Sequence, residues 1–294
     1  MKSFKGTGVA LVTPFNNYGS VDFNSLGRII DRIITNSADY LVVMGTTGES
    51  ATLSKDEKMA VLNFTADRVE KKIPIVYGIG GNNTQEVVNY IKSISFENID
   101  AILSVCPYYN KPQQKGLYYH FKTISTVSPV PVILYNVPGR TSCNLKPETV
   151  LNLAYDMANI IGIKEASGDL LQVMEILNKR KKGFLVISGD DALTLPMMAA
   201  GADGVISVVA NAFPGEFSEM VKLALAGDFT KAREIHYALL EIINSLFMDG
   251  NPAGIKAALS VLNLCQNNLR LPLVKVNKAA NLQISNLIQE YTKK

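Results

Sequence analysis

The chain has 294 residues, which is enough for one α/β barrel of about 250 residues and a further segment. Hydrophobic residues make up 47% and charged residues 19% of it, proportions that exclude an intrinsically disordered chain. The 29 basic and 26 acidic residues are spread along the chain and give a net charge of +3, so we expect no nucleic-acid partner.

The cysteines and the N-terminus indicate the cellular compartment. Three cysteines without a CxxC pair argue against a disulfide framework and a structural zinc site, and they fit a reducing cytoplasm. The first apolar run is too short for a signal peptide, and no run approaches the length of a membrane span. We therefore expect a cytoplasmic protein with no membrane partner.

Up to about Phe213, short apolar runs rich in β-branched residues alternate with longer amphipathic stretches, and Gly, Pro, Asn or Ser separate them. The runs lack period-two alternation, as expected for parallel strands buried on both faces. Three of them begin with an aspartate, at Asp39, Asp100 and Asp203, which indicates a repeated unit. Eight strands, and hence a (β/α)8 TIM barrel, are predicted at residues 8–12, 40–44, 75–77, 101–105, 132–135, 160–164, 185–188 and 204–207.

After Pro214 and Gly215 the apolar positions recur at helical spacing, and no further strand is evident. We place the (β/α)8 barrel in residues 1–225 and a C-terminal helical region in residues 226–294. Because no flexible linker separates the two, the helical region should pack on the barrel or form an oligomer interface.

Functional groups of a βα barrel lie at the C-terminal ends of its strands. Lys164 closes an apolar run there, and a lysine amine that loses its hydration can attack a ketone to form an imine. The alternative is a lysine that extends to water or pairs with Glu165. Tyr135 also ends a strand and could shuttle protons, with Thr47 and Tyr109 as relay hydroxyls, although a strand-end tyrosine can equally be a core residue.

Two neighbouring loops predict the binding of an anion. Arg140 presents a guanidinium that matches a carboxylate, unless it is merely an exposed loop residue. The GTTG sequence at residues 45–48 combines glycines with hydroxyl donors, which suits a carboxylate, a phosphate or a purely structural turn. With only two histidines we expect no zinc site, and without a dinucleotide or Walker pattern we expect no cofactor. The absence of a GxSxG sequence argues against a serine nucleophile of the hydrolase type.

The motifs GTTGES, YYNKP, YNVPGRT, GIKEASGD and SGDD, in this order, resemble the dihydrodipicolinate synthase family within the N-acetylneuraminate lyase superfamily. The resemblance covers essentially the whole chain. It implies a lyase that condenses pyruvate with L-aspartate 4-semialdehyde through a lysine Schiff base. The product would be 4-hydroxy-tetrahydrodipicolinate, on the pathway to diaminopimelate and lysine. The resemblance also implies a homotetramer, built as a dimer of dimers.

The resemblance assigns functions to residues of this sequence. Lys164 matches the Schiff-base lysine, Tyr135 the proton donor and acceptor, Thr47 its relay, and Tyr109 a relay tyrosine contributed across a dimer interface. The matching substrate-binding positions are Thr46, Thr47, Arg140, Gly189 and Ile206. A possible allosteric lysine site would comprise Ser50, Ala51, Lys55, Lys58, Asn82, Glu86 and Tyr108.

Three questions stay open at this point. Lys55 and Lys58 stand where lysine-inhibited relatives often carry histidines, which leaves inhibition by lysine undecided. Sister lyases cleave sialic acid or sugar acids with the same lysine and tyrosine, although Arg140 favours a short, carboxylated aldehyde. A catalytically silent relative that acts as a binding module is the third possibility.

Overall fold

In a computed structural model that describes residues 3–293, eight parallel strands close into a barrel in chain order, with the last strand paired to the first. The strands are β1 (Gly6–Ala10), β2 (Tyr40–Val43), β3 (Ile75–Gly78), β4 (Ala101–Val105), β5 (Val132–Asn136), β6 (Ile160–Glu165), β7 (Leu185–Ser188) and β8 (Gly204–Ser207). The predicted (β/α)8 barrel is confirmed. β1 ends before the predicted Val12, because the Val12 N–H donates to Asn211 Oδ1 at 3.1 Å instead of to a strand.

Helices follow the strands and continue after the barrel. They are α1 (Phe23–Thr35), α2 (Lys55–Val69), α3 (Thr84–Ser93), α4 (Gln114–Val127), α5 (Pro138–Thr141), α6 (Pro147–Asp156), α7 (Leu170–Lys179), α8 (Thr194–Ala199), α9 (Pro214–Leu225), α10 (Phe229–Phe247), α11 (Ala253–Val261) and α12 (Lys278–Thr292). Side-chain caps mark several starts: Ser54 and Glu57 form a capping box on α2, and Asp169 caps α7. These caps fix where the loops that follow the strands end.

The three aspartates of the repeated unit lie just before β2, β4 and β8. Each carboxylate accepts a backbone N–H from the start of the preceding strand, namely Thr7 at 2.7 Å, Ile75 at 2.8 Å and Val186 at 3.0 Å. The repeat therefore has a physical function, which is to join neighbouring strands at the N-terminal edge of the barrel.

The hydrophobic core has two parts. One fills the space between the strands and the surrounding helices, and the other fills the barrel interior with side chains that include Phe4, Tyr40, Val42 and Ile206. Phe4 packs edge-on against Tyr40, with ring centroids 5.7 Å apart. Because the interior is packed in this way, we expect a ligand site at the C-terminal ends of the strands and not inside the barrel.

The predicted C-terminal helical extension is present, with α10 packed on α9 and α12 packed on α11. The boundary at residue 225 stays a prediction, and α9 ends at Leu225. The turn between α10 and α11 carries a cis Asn251–Pro252 peptide bond and reaches back to the strand ends. In residues 3–293, every helix is too short or too polar to cross a lipid bilayer.

Candidate functional site

A cavity of about 360 Å³ lies at the C-terminal ends of the strands. Its wall includes Thr46, Thr47, Tyr135, Arg140, Lys164 and Gly189 from the barrel, and Asn244, Phe247 and Asn251 from the C-terminal helical region. The structure thus brings together six residues that the sequence predicts at the site. Within residues 3–293, no group of three or more His, Cys, Asp or Glu side chains is arranged to hold a metal ion.

Lys164 lies at the end of β6, directly beside Tyr135 on β5. Its side chain is 5% exposed, and its Nζ lies 4.4 Å from the centre of the Tyr135 ring. Among the described residues Nζ forms no ion pair. A lysine amine buried against an aromatic ring, without a carboxylate, is available to react with a carbonyl group.

Glu165, the predicted alternative partner of Lys164, points to the opposite face of the strand, as alternation along β6 requires. Its carboxylate accepts hydrogen bonds from Asn136 Nδ2, Gln172 Nε2 and the Ser167 N–H at 2.7 to 3.2 Å. Burial raises the pKa of the Glu165 carboxyl, and these hydrogen bonds oppose the shift. Glu165 therefore ties β6 to α7 and leaves Lys164 free.

Gly189 follows β7 and provides the space that the lysine occupies. A Cβ atom at this position would lie 2.9 Å from Lys164 Cε and 2.6 Å from Ala166 Cβ, closer than real side chains approach. Any larger residue would displace the Lys164 stem. Gly189 therefore contributes to the site by having no side chain.

Tyr135 and Thr47 supply the hydroxyls of the cavity. Tyr135 is 6% exposed, and its hydroxyl forms no hydrogen bond with any residue between 3 and 293, so it can serve a ligand. Thr47 is 2% exposed and lies in a short turn that begins at Thr46, just after β2. Thr47 Oγ1 accepts a hydrogen bond from Asn251 Nδ2 at 3.0 Å.

Arg140 lies at the rim of the cavity, in the short helix α5 that follows β5. Its Nη2 donates to the backbone oxygen of Asn251 at 3.3 Å. It forms no ion pair with a carboxylate of the described residues, and its side chain is exposed. The guanidinium thus keeps most of its donors for a ligand.

Two predicted site residues lie outside this cavity. Ile206 is buried in the barrel interior among residues such as Tyr135 and Ile187, and it does not reach the cavity wall. Tyr109 is 88% exposed, has a positive φ of 74° and does not line the cavity of its own chain.

A second, larger cavity of about 980 Å³ adjoins the first and shares Thr46, Tyr135 and Arg140 with it. Six of the seven predicted allosteric residues line it: Ser50, Ala51, Lys55, Lys58, Glu86 and Tyr108. Asn82 does not, and its neighbour Asn83 takes that place. Burial lowers the pKa of Lys58, and the positive charge of Lys55 adds to this shift.

The sequence interpretation missed the contribution of the C-terminal helical region to the site. Asn251 contacts Thr47, and Lys256 of α11 forms a fully buried ion pair with Glu49, two residues after Thr47. Burial lowers the pKa of Lys256, and the Glu49 carboxylate opposes that shift. A lysine inside the apolar stretch AGIKAALSV was the available signal, because a buried lysine needs an anion.

Comparison with known proteins identifies the family. A family model described as the dihydrodipicolinate synthetase family matches residues 3–291. A relative from Flavobacterium psychrophilum, named 4-hydroxy-tetrahydrodipicolinate synthase, is 52% identical over 293 residues, which cover 100% of this chain and 99% of that relative. The crystal structure of dihydrodipicolinate synthase from Thermotoga maritima has a TM-score of 0.96 and 39% identity, covering 98% of this chain and 99% of that one. A chloride-inhibited dihydrodipicolinate synthase from Acinetobacter baumannii, complexed with pyruvate, has a TM-score of 0.95, 37% identity and 99% coverage of both chains. The chain therefore belongs to the dihydrodipicolinate synthetase family.

Proposed function

We propose that this protein condenses pyruvate with L-aspartate 4-semialdehyde through an imine on Lys164 and releases 4-hydroxy-tetrahydrodipicolinate. The observation that carries the chemistry is the buried Lys164 amine, which lies 4.4 Å from the centre of the Tyr135 ring and has no ionic partner within residues 3–293. The name of the relative that is 52% identical supports the choice of reaction. The pyruvate complex of the Acinetobacter baumannii protein supports the choice of the first substrate.

The first half of the reaction forms the nucleophile. The Lys164 amine adds to the keto carbon of pyruvate, and the carbinolamine loses water to give an imine. The methyl group then loses a proton to give an enamine, whose electrons come from the broken C–H bond. Tyr135 is suited to move these protons, with Thr47 as its relay, because a hydroxyl both donates and accepts.

The second half joins the carbon chains and closes the ring. The enamine carbon attacks the aldehyde carbon of the semialdehyde, and the aldehyde oxygen takes up a proton to become a hydroxyl. The ammonium group of the semialdehyde gives up a proton, and the resulting amine adds to the imine carbon and displaces the Lys164 amine, which takes up a proton as it leaves. Thr46 and Thr47 would hold the pyruvate carboxylate, and Arg140 would hold the carboxylate of the semialdehyde.

Assembly and location belong to the same proposal. Tyr109 is 88% exposed and does not line the cavity of its own chain, so its part in the relay requires that a second subunit bring it to that cavity. We propose a homo-oligomer, of the tetrameric kind that the sequence resemblance implies, working in the cytoplasm.

Two other functions compete with this one. A sister lyase would cleave N-acetylneuraminate or a keto-sugar acid with the same lysine and tyrosine. A silent relative would bind ligands without turnover, but it would have no need for a lysine, a tyrosine, a threonine and an arginine on one cavity wall. Arg140 favours the synthase, because its guanidinium suits a short, carboxylated aldehyde better than a polyol chain.

Product analysis separates these functions. The purified protein is incubated with pyruvate and L-aspartate 4-semialdehyde, and separately with N-acetylneuraminate, and the products are identified by mass spectrometry. We expect the heterocycle from the first mixture and no pyruvate release from the second. The reverse pattern would assign the protein to the sister lyases, and no product from either would favour the silent relative.

A further inference from the structure

Asn251 lies in the turn between α10 and α11, and it is one of the residues that line the cavity. Its Nδ2 donates to Thr47 Oγ1 at 3.0 Å, across 204 positions of sequence. Its backbone oxygen accepts a hydrogen bond from Arg140 Nη2 at 3.3 Å. The residue is 7% exposed, so the contact with Thr47 is shielded from bulk water. One residue of the C-terminal helical region thus joins the hydroxyl relay to the arginine at the rim.

The hydrogen bond from Asn251 determines where the Thr47 proton can go. A hydroxyl carries one proton, and its oxygen can accept hydrogen bonds at the same time. Because Thr47 Oγ1 accepts from Asn251, its proton remains for an acceptor inside the cavity. Thr47 donates no hydrogen bond to any other residue that the structure describes, and the free hydroxyl of Tyr135 lines the same cavity.

The other end of the Asn251 amide is unsatisfied. Asn251 Oδ1 is buried and has no hydrogen-bond partner. Among the buried side-chain polar atoms without a partner in residues 3–293, it is the one whose residue lines the cavity. A buried carbonyl left without a donor costs free energy, and a ligand that supplies a donor recovers that cost.

The second substrate proposed above carries such a donor. Its ammonium and carboxylate groups are attached to the same carbon atom, so a carboxylate bound to Arg140 brings the ammonium group close by. Arg140 Nη2 contacts the backbone oxygen of Asn251, and both residues line the same cavity, so the Asn251 side chain lies in the neighbourhood of that position. An ammonium group carries three donors and no acceptor, which fits an unsatisfied carbonyl oxygen.

We propose that Asn251 is a positioning and specificity-determining residue for the condensation. Its Nδ2 holds the Thr47 hydroxyl with the proton directed into the cavity, and its Oδ1 accepts a hydrogen bond from the ammonium group of the incoming aldehyde. This inference rests on the proposed function.

The test compares two aldehydes and two substitutions. 4-Oxobutanoate is the semialdehyde without its ammonium group, and it serves as a competitive ligand. Asn251→Ala removes both ends of the amide, whereas Asn251→Asp keeps an acceptor oxygen and removes the donor. Asn281→Ala, an exposed asparagine of α12, is the matched control from the same region. Steady-state kinetics gives KM, kcat and the inhibition constant of 4-oxobutanoate.

For Asn251→Ala we expect KM for the semialdehyde to rise about tenfold or more, because a hydrogen bond to a charged group is lost. The affinity for 4-oxobutanoate should change by less than about threefold. Both substitutions should lower kcat about tenfold through the loss of the Thr47 contact. Asn251→Asp should not raise KM for the semialdehyde.

Equal weakening of both aldehydes by Asn251→Ala would overturn the ammonium contact. An Asn251→Asp protein with the original kcat would overturn the positioning of Thr47. Thermal unfolding and borohydride trapping of the pyruvate imine are measured on every variant. If Asn251→Ala does not fold, the kinetics of Asn251→Asp test the inference instead. An imine in the original protein, together with unchanged kinetics in both Asn251 variants, would refute this inference and leave the proposed function intact.

Discussion

At the scale of single residues, the chemistry of Lys164 depends on what surrounds it. A lysine at a strand end can extend to water or pair with an acid, and the nearest acid in the chain is its neighbour Glu165. That carboxylate is instead taken up by Asn136, Gln172 and Ser167 on the other face of β6. Gly189 leaves room for the lysine stem, and Tyr135 covers the amine.

Arg140 should control the affinity for the second substrate. Replacing it with alanine removes a guanidinium that can bind a carboxylate through two hydrogen bonds. We expect KM for L-aspartate 4-semialdehyde to rise between about tenfold and a hundredfold, while KM for pyruvate changes less than about threefold. Steady-state kinetics with each substrate varied in turn measures both values.

Arg140→Lys is the matched variant for this prediction, because it keeps the charge and loses the fork of donors. Its KM for L-aspartate 4-semialdehyde should lie between the values of the original protein and the alanine variant. Equal increases in the KM values for the two substrates would show that Arg140 does not bind the semialdehyde selectively.

Asp191 should contribute a pH-dependent term to stability. Burial raises the pKa of its carboxyl to about 6, against hydrogen bonds from the Val208 and Val209 N–H groups. The folded pKa lies above the unfolded value of 3.8, so the contribution is complete below about pH 4 and is lost as the pH rises through 6. Relative to Asp191→Asn, the original protein should lose about 2 kcal/mol of unfolding free energy between pH 4 and 7.

Urea denaturation of the Asp191→Asn variant and the original protein at several pH values measures this difference. A difference that stays constant over the range, or that grows with pH, would show that Asp191 is not the buried acid described above.

At the scale of elements, the loop after β2 is held by the C-terminal helical region. Glu49 adopts a left-handed backbone conformation at φ 52°, which costs on the order of 1 kcal/mol for a residue with a side chain. Its buried carboxylate pairs with Lys256 and accepts the Arg270 N–H at 3.1 Å. Arg270 in turn binds Glu57 on α2, whose pKa it lowers to about 2. Thr46 and Thr47 are therefore positioned from outside the barrel.

Lys256→Met should destabilise the protein by about 3–5 kcal/mol, because it leaves the Glu49 charge buried without its cation. The double variant Glu49→Gln, Lys256→Met should recover at least about 1 kcal/mol of that loss. Urea denaturation gives both values, with the exposed Lys275→Met as a control expected to change stability by less than about 0.5 kcal/mol. A single variant as stable as the original would contradict the structural importance of this pair.

The strands were predictable from sequence because each is an apolar run of parallel sheet, bounded by turn residues. The same reasoning located Lys164, Tyr135 and Thr47, since residues that follow barrel strands meet at one edge. It could not locate Asn251, whose partner lies 204 residues away and outside any strand-end motif. The Glu49–Lys256 pair was also missed. The apolar stretch around Lys256 indicates a buried lysine, but only the tertiary structure shows that Glu49 is its partner.

At the scale of the whole molecule, the barrel is closed, its interior is filled, and the cavity that Lys164 lines lies at the C-terminal ends of the strands. The family assignment agrees with the sequence resemblance over residues 3–291. Tyr109 is 88% exposed and does not line the cavity of its own chain. The proposed relay therefore requires at least a two-fold symmetric dimer, in which each subunit contributes its Tyr109 to the cavity of the other.

Subunit mixing tests the shared site. Tyr109→Phe and Lys164→Ala proteins should each be nearly inactive, and each mixed pair restores one complete cavity. Exchange of equal amounts should recover about a quarter of the original activity, since half of the pairs are mixed and each has one working site. Activity that stays at the level of the separate variants after exchange would place Tyr109 outside the relay.

Borohydride trapping tests the central claim most directly. The protein is incubated with pyruvate, reduced with sodium borohydride and digested, and the peptides are examined by mass spectrometry. We predict one reduced pyruvate adduct, on Lys164, and none on the Lys164→Ala protein. The absence of an adduct, or its presence on another lysine such as Lys256, would contradict the imine mechanism.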